Sequence, residues 1–203
     1  MTITRDFGSL GRPIARRLSE LLKIEYYDRD IVEETAKKLR LPVSVISNEE
    51  EKGSGLFNML FPLGTESSER QEKIFWTQQK IIRDLMDNGS CIIVGRCSDY
   101  ILSDEKNVMN VYIYAPYEDR YYNCIHTLGM RPEDAKRMIA EVDKARRAYH
   151  KQYAKYACND PDHKDLMISS SLLGVEGTAH LLAEVVRLRF GQKDHTVPES
   201  VGD

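Results

Sequence analysis

Two glycines and an arginine carry the first chemistry. Gly8, Gly11 and Arg12 lie in Thr2-Ile3-Thr4-Arg5-Asp6-Phe7-Gly8-Ser9-Leu10-Gly11-Arg12-Pro13-Ile14, between a β-branched run and apolar positions at helical spacing, Ile14, Leu18, Leu21 and Leu22. Strand, glycine-bearing turn and helix in that order make a phosphate-binding loop. The glycines permit positive dihedrals and close approach, so that successive N–H groups and the helix N-terminus converge on an anion. Aligned on Gly11, the stretch departs from G-x-x-x-x-G-K-[ST]: Asp6 stands at the first glycine, Arg12 at the lysine and Pro13 at the hydroxyl residue. Arg12 can clamp phosphate as a planar fork. Pro13 has no hydroxyl for magnesium and no N–H, although its fixed φ suits a first helical turn. A plain strand, turn and helix is the other reading of these residues.

Three further positions can meet a ligand at the same edge. Asp28 ends the aromatic run Ile24-Glu25-Tyr26-Tyr27, and Arg96 and Asp99 follow the apolar run Cys91-Ile92-Ile93-Val94-Gly95. Open α/β sheets bind ligands at the carboxyl ends of their strands, which is where these side chains fall. For Asp28 the alternative is an N-cap on the next helix, and the two roles are compatible. Farther on, Lys144, Arg146 and Arg147 crowd one stretch of the helix after Pro132. They read either as a solvated face balanced by Glu141 and Asp143 or as cations brought to a transferring group.

The elements that must position these groups alternate. Strands are predicted at the N-terminus and at 24–28, 91–95, 108–114 and 165–169. Helices are predicted from Pro13, over 29–39, from 67 or 68 to 88, over 115–128, after Pro132 and over 175–190. The alternation predicts an α/β fold, a three-layer α/β/α arrangement with a five-stranded parallel sheet. One α/β domain is expected over 1–190, with a flexible acceptor-side insert at about 41–68, a helical lid at about 129–160 and a disordered tail over 191–203. A short helix is expected within 42–51. The apolar segment 56–61 reads as packing on the body, as a contact in a homo-oligomer, or as a flap over substrate.

Composition narrows the function. In 203 residues, 29 Lys+Arg against 32 Asp+Glu leave a net charge of −3, so no global basic excess suggests nucleic acid. The four cysteines form no C-x-x-C pair and read as the reduced thiols of a cytoplasmic protein. The chain opens directly in a strand, with no leader pattern and no apolar run of about 18 residues, so neither secretion nor a membrane is expected. The five histidines show no paired metal-ligand spacing, which leaves the metal ligands unknown.

The chain resembles the cytidylate kinase-like family, a divergent branch of the nucleoside monophosphate kinases among the phosphate-loop kinases. The likeness rests on residues 3–12, Tyr26-Tyr27-Asp28, Ile93-Val94-Gly95-Arg96-Cys97, Tyr112-Ile113-Tyr114-Ala115-Pro116, Val142-Asp143-Lys144-Ala145-Arg146 with Tyr149, and Asp165-Leu166-Met167-Ile168-Ser169-Ser170-Ser171. It implies a fold of the phosphate-loop nucleoside triphosphate hydrolase type and transfer of a phosphoryl group from ATP, with Mg2+, to a nucleoside monophosphate or similar phosphorylated small molecule. Such transfer depends on positioning and charge placement. The resemblance implies a donor-phosphate loop of Gly8, Ser9, Leu10, Gly11 and Arg12, acceptor-side residues Asp28, Arg96 and Asp99, and catalytic cations Arg12, Lys144, Arg146 and Arg147.

The departures from the family pattern are Arg12 for lysine, Pro13 for the magnesium-holding hydroxyl, and Cys97 where cytidylate kinases carry an acid after Gly-Arg. Ser9 and Asp28 are the available substitutes as magnesium ligands. A nucleotide- or phosphate-binding protein without turnover is the second functional class, separated from the first by the presence of a magnesium ligand.

Overall fold

The computed structural model describes residues 1–41, 43 and 65–191. In chain order it contains β1 (Thr2–Arg5), α1 (Gly11–Leu22), β2 (Glu25–Tyr27), α2 (Arg29–Leu39), α3 (Thr65–Asp87), β3 (Cys91–Val94), α4 (Ser98–Ile101), β4 (Asn110–Tyr114), α5 (Tyr117–His126), α6 (Pro132–Ala154) and β5 (Leu166–Ser169), closing with α7 (Ser170–Phe190). The five strands form one sheet in the order β2-β3-β1-β4-β5, and every pairing is parallel. The expected helix within 42–51, the apolar segment 56–61, most of the acceptor-side insert and the tail beyond 191 lie outside the described residues.

The sequence pattern explains the layering. In β3 all four residues are buried, and their alternation divides them between two cores. Ile92 and Val94 join Ile3, Val111 and Ile113 beneath Ile14, Leu18, Ala179 and Leu182 of α1 and α7. Cys91 and Ile93 face the opposite way, onto Ile31, Phe75, Ile82 and Ile101. The edge strands are less protected, with Glu25 in β2 and Met167 in β5 exposed.

Element boundaries moved where local chemistry overrode periodicity. The expected closing helix over 175–190 is preceded by a helical turn that begins at Ser170, and Gly174 breaks the two apart with φ 64° and ψ −168°. The short helix α4 follows three successive residues in the left-handed region, Gly95, Arg96 and Cys97, at φ 76°, 60° and 52°. For the two non-glycine residues this conformation costs about 1–2 kcal/mol each, which their surroundings must offset.

Because the chain leaves β1 toward β2 on one side, whereas it leaves the adjacent β3 toward β4 on the other, the sheet has a switch point at the carboxyl ends of β1 and β3. The glycine turn after Arg5 lies there. No helix among the described residues is long and apolar enough to cross a membrane.

Candidate functional site

The loop after β1 is braced from three sides. Ser9 is fully buried, and its hydroxyl donates to the carbonyls of Asp6 and Ile113, each at 3.0 Å. The Phe7 amide donates to Asp143 Oδ1 at 2.7 Å from α6, and Asn123 of α5 donates to the Gly8 carbonyl at 3.0 Å. Asp6, at the motif's first glycine position, accepts from the Tyr112 hydroxyl at 2.6 Å. Burial raises the Asp6 carboxyl above its ordinary value.

These contacts bear on two expectations. Ser9 was a candidate for holding magnesium, but its hydroxyl points into the body and serves the loop's own carbonyls. Gly11 does not supply a positive dihedral. Gly8 and Leu10 do, at φ 80° and 59°, and Gly11 instead permits close packing, since a Cβ there would lie 2.8 Å from Arg5 Cβ. Helix α1 then starts with no side-chain cap and no acid in its first turn, which leaves its positive dipole end uncompensated.

Four guanidinium groups from four elements meet beside this helix end. Arg5 ends β1, Arg12 opens α1, Arg96 follows β3, and Arg146 comes from α6; all four line an inner cavity of about 110 Å³. An outer cleft of about 710 Å³ runs from the same loop across α1 and is also lined by Arg5, Arg12 and Arg146. The shared counter-ion of Arg5, Arg12 and Arg96 is Asp28, whose side chain is only 2 % exposed. Arg12 Nε donates to Asp28 Oδ2, while Arg5 and Arg96 stand 3.8 and 3.9 Å from Asp28 Oδ1. Asp28 precedes α2 in the N-cap position, yet its carboxylate caps nothing: the arginines have drawn it away from the helix amides.

Electrostatics follows from burial against pairing. Burial raises the Asp28 carboxyl, and Arg5, Arg12 and Arg96 outweigh that, so it lies below its ordinary value. The guanidinium of Arg5 is pushed down to about 9, by burial first and then by the Arg146 cation. Arg96 is pushed down to about 10, again by burial first. Both remain cations at neutral pH.

The remaining predicted residues separate. Arg146 turns inward, donating from Nη1 to the Arg5 carbonyl at 3.3 Å, with its guanidinium 5.8 Å from the centre of the Phe7 ring. Arg147 is exposed and lines neither cavity, although its charge reaches Asp6. Lys144 is exposed and also lines neither, because it follows the inward-facing Asp143 by one position and so points about 100° away around the helix.

Asp99, expected on the acceptor side, lines neither cavity. It is 1 % exposed and bound to Lys164 Nζ and to His150 Nε2, the latter at 2.9 Å. Its carboxyl is raised by burial and lowered more by His150 and Lys164, ending below its ordinary value. A carboxylate so committed ties the segment after Arg96 to the end of α6 and beyond. Cys97, beside it, is buried, and burial pushes its thiol up.

Sequence reasoning missed Arg5, the Arg120–Asp143 pair and the partners of Asp99. Arg5 could have been found, since it is a charged residue ending a buried strand, the same signal that singled out Arg96. Arg120, His150 and Lys164 sit on polar helix and loop stretches that carry no such signal.

Several solved structures are similar to this chain. An uncharacterized protein from Eubacterium ventriosum ATCC 27560 matches with 23% identity and a TM-score of 0.69, over 91% of this chain and 96% of its own. TT1252 from Thermus thermophilus matches with 13% identity and a TM-score of 0.53, over 93% and 96%. Shikimate kinase from Acinetobacter baumannii in complex with shikimate matches with 15% identity and a TM-score of 0.48, over 96% and 94%. For the first two the likeness is one of fold. No curated protein matches the chain. Residues 1–172, which include the loop, Asp28, Arg96 and α6, match the cytidylate kinase-like family, and the chain therefore belongs to that family, with its phosphate-loop kinase type of fold.

Proposed function

We propose that this protein is a kinase that transfers a phosphoryl group from ATP to a nucleoside monophosphate or a similar phosphorylated small molecule. The observation that carries this reading is the convergence of Arg5, Arg12, Arg96 and Arg146 beside the uncapped N-terminus of α1, with Asp28 as the counter-ion that the first three share. Such a site is built for concentrated negative charge. Phosphoryl transfer spreads charge over equatorial oxygens and asks of the protein mainly cations and main-chain donors held in place.

In this reading the loop from Gly8 to Arg12 and the first amides of α1 would hold the donor's phosphates, and the inner cavity would take the acceptor's phosphate. Arg146, already against the loop, would follow the moving charge. Magnesium finds no ready-made ligand set. Pro13 has no hydroxyl, Ser9 is engaged, Asp28 is bonded to arginine, and no group of three or more His, Cys, Asp or Glu side chains among the described residues could hold a metal. The ion's usual coordination by nucleotide phosphates and water asks least of such a site.

The same observation favours a second reading, a phosphate-binding protein without turnover, in which the arginines hold ligand and no group activates an acceptor. The test is incubation of the protein with ATP, magnesium and single acceptors, cytidine, uridine and adenosine monophosphates among them, with ADP and the phosphorylated acceptor measured together. Acceptor-dependent ADP formation supports the kinase. Tight nucleotide binding in calorimetry without turnover on any acceptor supports the binding protein.

A further inference from the structure

We infer that Arg5 is the principal phosphate-binding cation of this site: its buried guanidinium, passed between Gly11 and Gly95 into the inner cavity, is the contact for a phosphate dianion. The inference rests on the phosphorylated-ligand reading above and singles out, among its four arginines, the one that makes the main contact with the phosphate.

A guanidinium carries five N–H donors. Among the described residues, those of Arg5 reach no acceptor at hydrogen-bond distance; the nearest carboxylate oxygen, Asp28 Oδ1, is 3.8 Å away. The other arginines differ. Arg12 is bonded to Asp28, Arg120 to Asp143, and Arg146 to the Arg5 carbonyl. The Arg5 side chain, 13 % exposed, keeps its donors open to the cavity, whereas a partner for Asp28 alone would close to a bidentate pair. Asp28 Oδ1 is buried and likewise accepts no hydrogen bond. The Arg5 donors are thus left for a ligand oxygen that approaches from the cavity, away from the Asp28 carboxylate.

The route of the side chain is also purpose-built. A Cβ on Gly11 would lie 2.8 Å from Arg5 Cβ, and one on Gly95 would lie 2.2 Å from Arg5 Nη1. Glycines from two separate elements thus keep a passage open for one side chain. At its head is a cavity of about 110 Å³, room for several waters at roughly 10–15 Å³ of such space each, and hence for a phosphate group in their place. Burial and the Arg146 cation both press against the Arg5 charge, and a dianion relieves both. A monoanionic carboxylate would leave more of the guanidinium charge uncompensated. The ligand class is therefore a phosphate monoester, or the terminal phosphate of a nucleotide.

The test compares Asp28→Asn with the double variant Asp28→Asn/Arg5→Gln by calorimetric titration with inorganic phosphate, cytidine monophosphate and a non-hydrolysable ATP analogue. Removing the Asp28 charge first means that no buried carboxylate is stranded when Arg5 is replaced, and melting temperature verifies folding. Loss of Arg5 in this background is expected to weaken phosphate binding at least tenfold. A loss seen also with cytidine monophosphate alone assigns Arg5 to the acceptor, and one seen also with the ATP analogue alone assigns it to the donor. Equal phosphate affinity in the two variants overturns the inference and leaves Arg5 as a counter-ion of Asp28. Arg5→Lys in the otherwise unchanged chain gives an independent reading, since a compact ammonium on a shorter reach is also expected to bind phosphate severalfold more weakly, whereas a counter-ion role predicts no change. Phosphate binding that depends on Arg5, without transfer to any acceptor, would refute the kinase reading and leave this one standing.

Discussion

A Cβ atom on Gly95 would lie 2.2 Å from Nη1 of Arg5, closer than any side chain can tolerate. Gly95 also holds φ 76°, so Gly95→Ala combines a clash with a left-handed penalty of about 1–2 kcal/mol. Urea unfolding should show a loss of at least that size. Phosphate affinity should fall as well, because the displaced group is the Arg5 guanidinium.

Arg146→Ala is expected to lower phosphoryl-transfer turnover by about a hundredfold or more while leaving nucleotide binding within a few fold, the pattern of an interaction made mainly in the transition state. Lys144→Ala, on the exposed side of the same helix, should leave both within about twofold. Steady-state kinetics on the two variants separates a cation at the reacting group from a general basic face. Equal effects would remove Arg146 from the chemistry.

Asp143→Ala should be among the most destabilising single changes near the site. It strands Arg120, whose side chain is 13 % exposed, and leaves the Phe7 amide without its acceptor. Breaking a buried pair from one side costs about 3–5 kcal/mol. Thermal unfolding of the ligand-free protein measures it, and a loss below about 1 kcal/mol would show that α6 is not anchored through this carboxylate.

Ser9→Ala removes a buried hydroxyl that serves two carbonyls, at a cost of about 1–3 kcal/mol in stability. The magnesium concentration giving half-maximal activity should not change. An increase in that concentration would return Ser9 to the metal.

Acid should unfold the protein partly through Asp28 and Asp99. Each lies below its ordinary value of 3.8 in the folded state, because arginines in one case and His150 with Lys164 in the other outweigh burial. Between the folded and unfolded values the unfolded chain binds more protons, so falling pH favours unfolding. The contribution is fully present above pH 3.8 and is lost as pH falls through the lower folded values. In Asp99→Asn the unfolding midpoint should decline less steeply with acid below about pH 4 than in the parent chain. An unchanged slope would mean that Asp99 is not held ionised by its partners.

The sequence by itself determined the fold and the edge at which the glycine turn, Asp28 and Arg96 meet. Alternating β-branched and helical periods, with a buried run at Cys91–Val94, required a parallel sheet covered on both faces. The glycine turn after Arg5, Asp28 after β2 and Arg96 after β3 followed strand ends, so their approach to one edge was legible without coordinates. What only the tertiary structure decided is how each charged side chain is spent. Asp99 and Asp28 look alike in sequence, each an acid shortly after a strand. Lys164, far along the chain, arrives beside Asp99 together with His150 and consumes it, whereas Asp28 is left facing arginines. Ser9 looked free until Ile113, from the neighbouring strand, offered its carbonyl. Lys144 and Arg146 are two residues apart, and the orientation of α6 sends one to solvent and the other onto the loop. Periodicity and turn chemistry are local properties that a chain carries in its order of residues. The competition of one buried charge for several distant partners is settled only by packing.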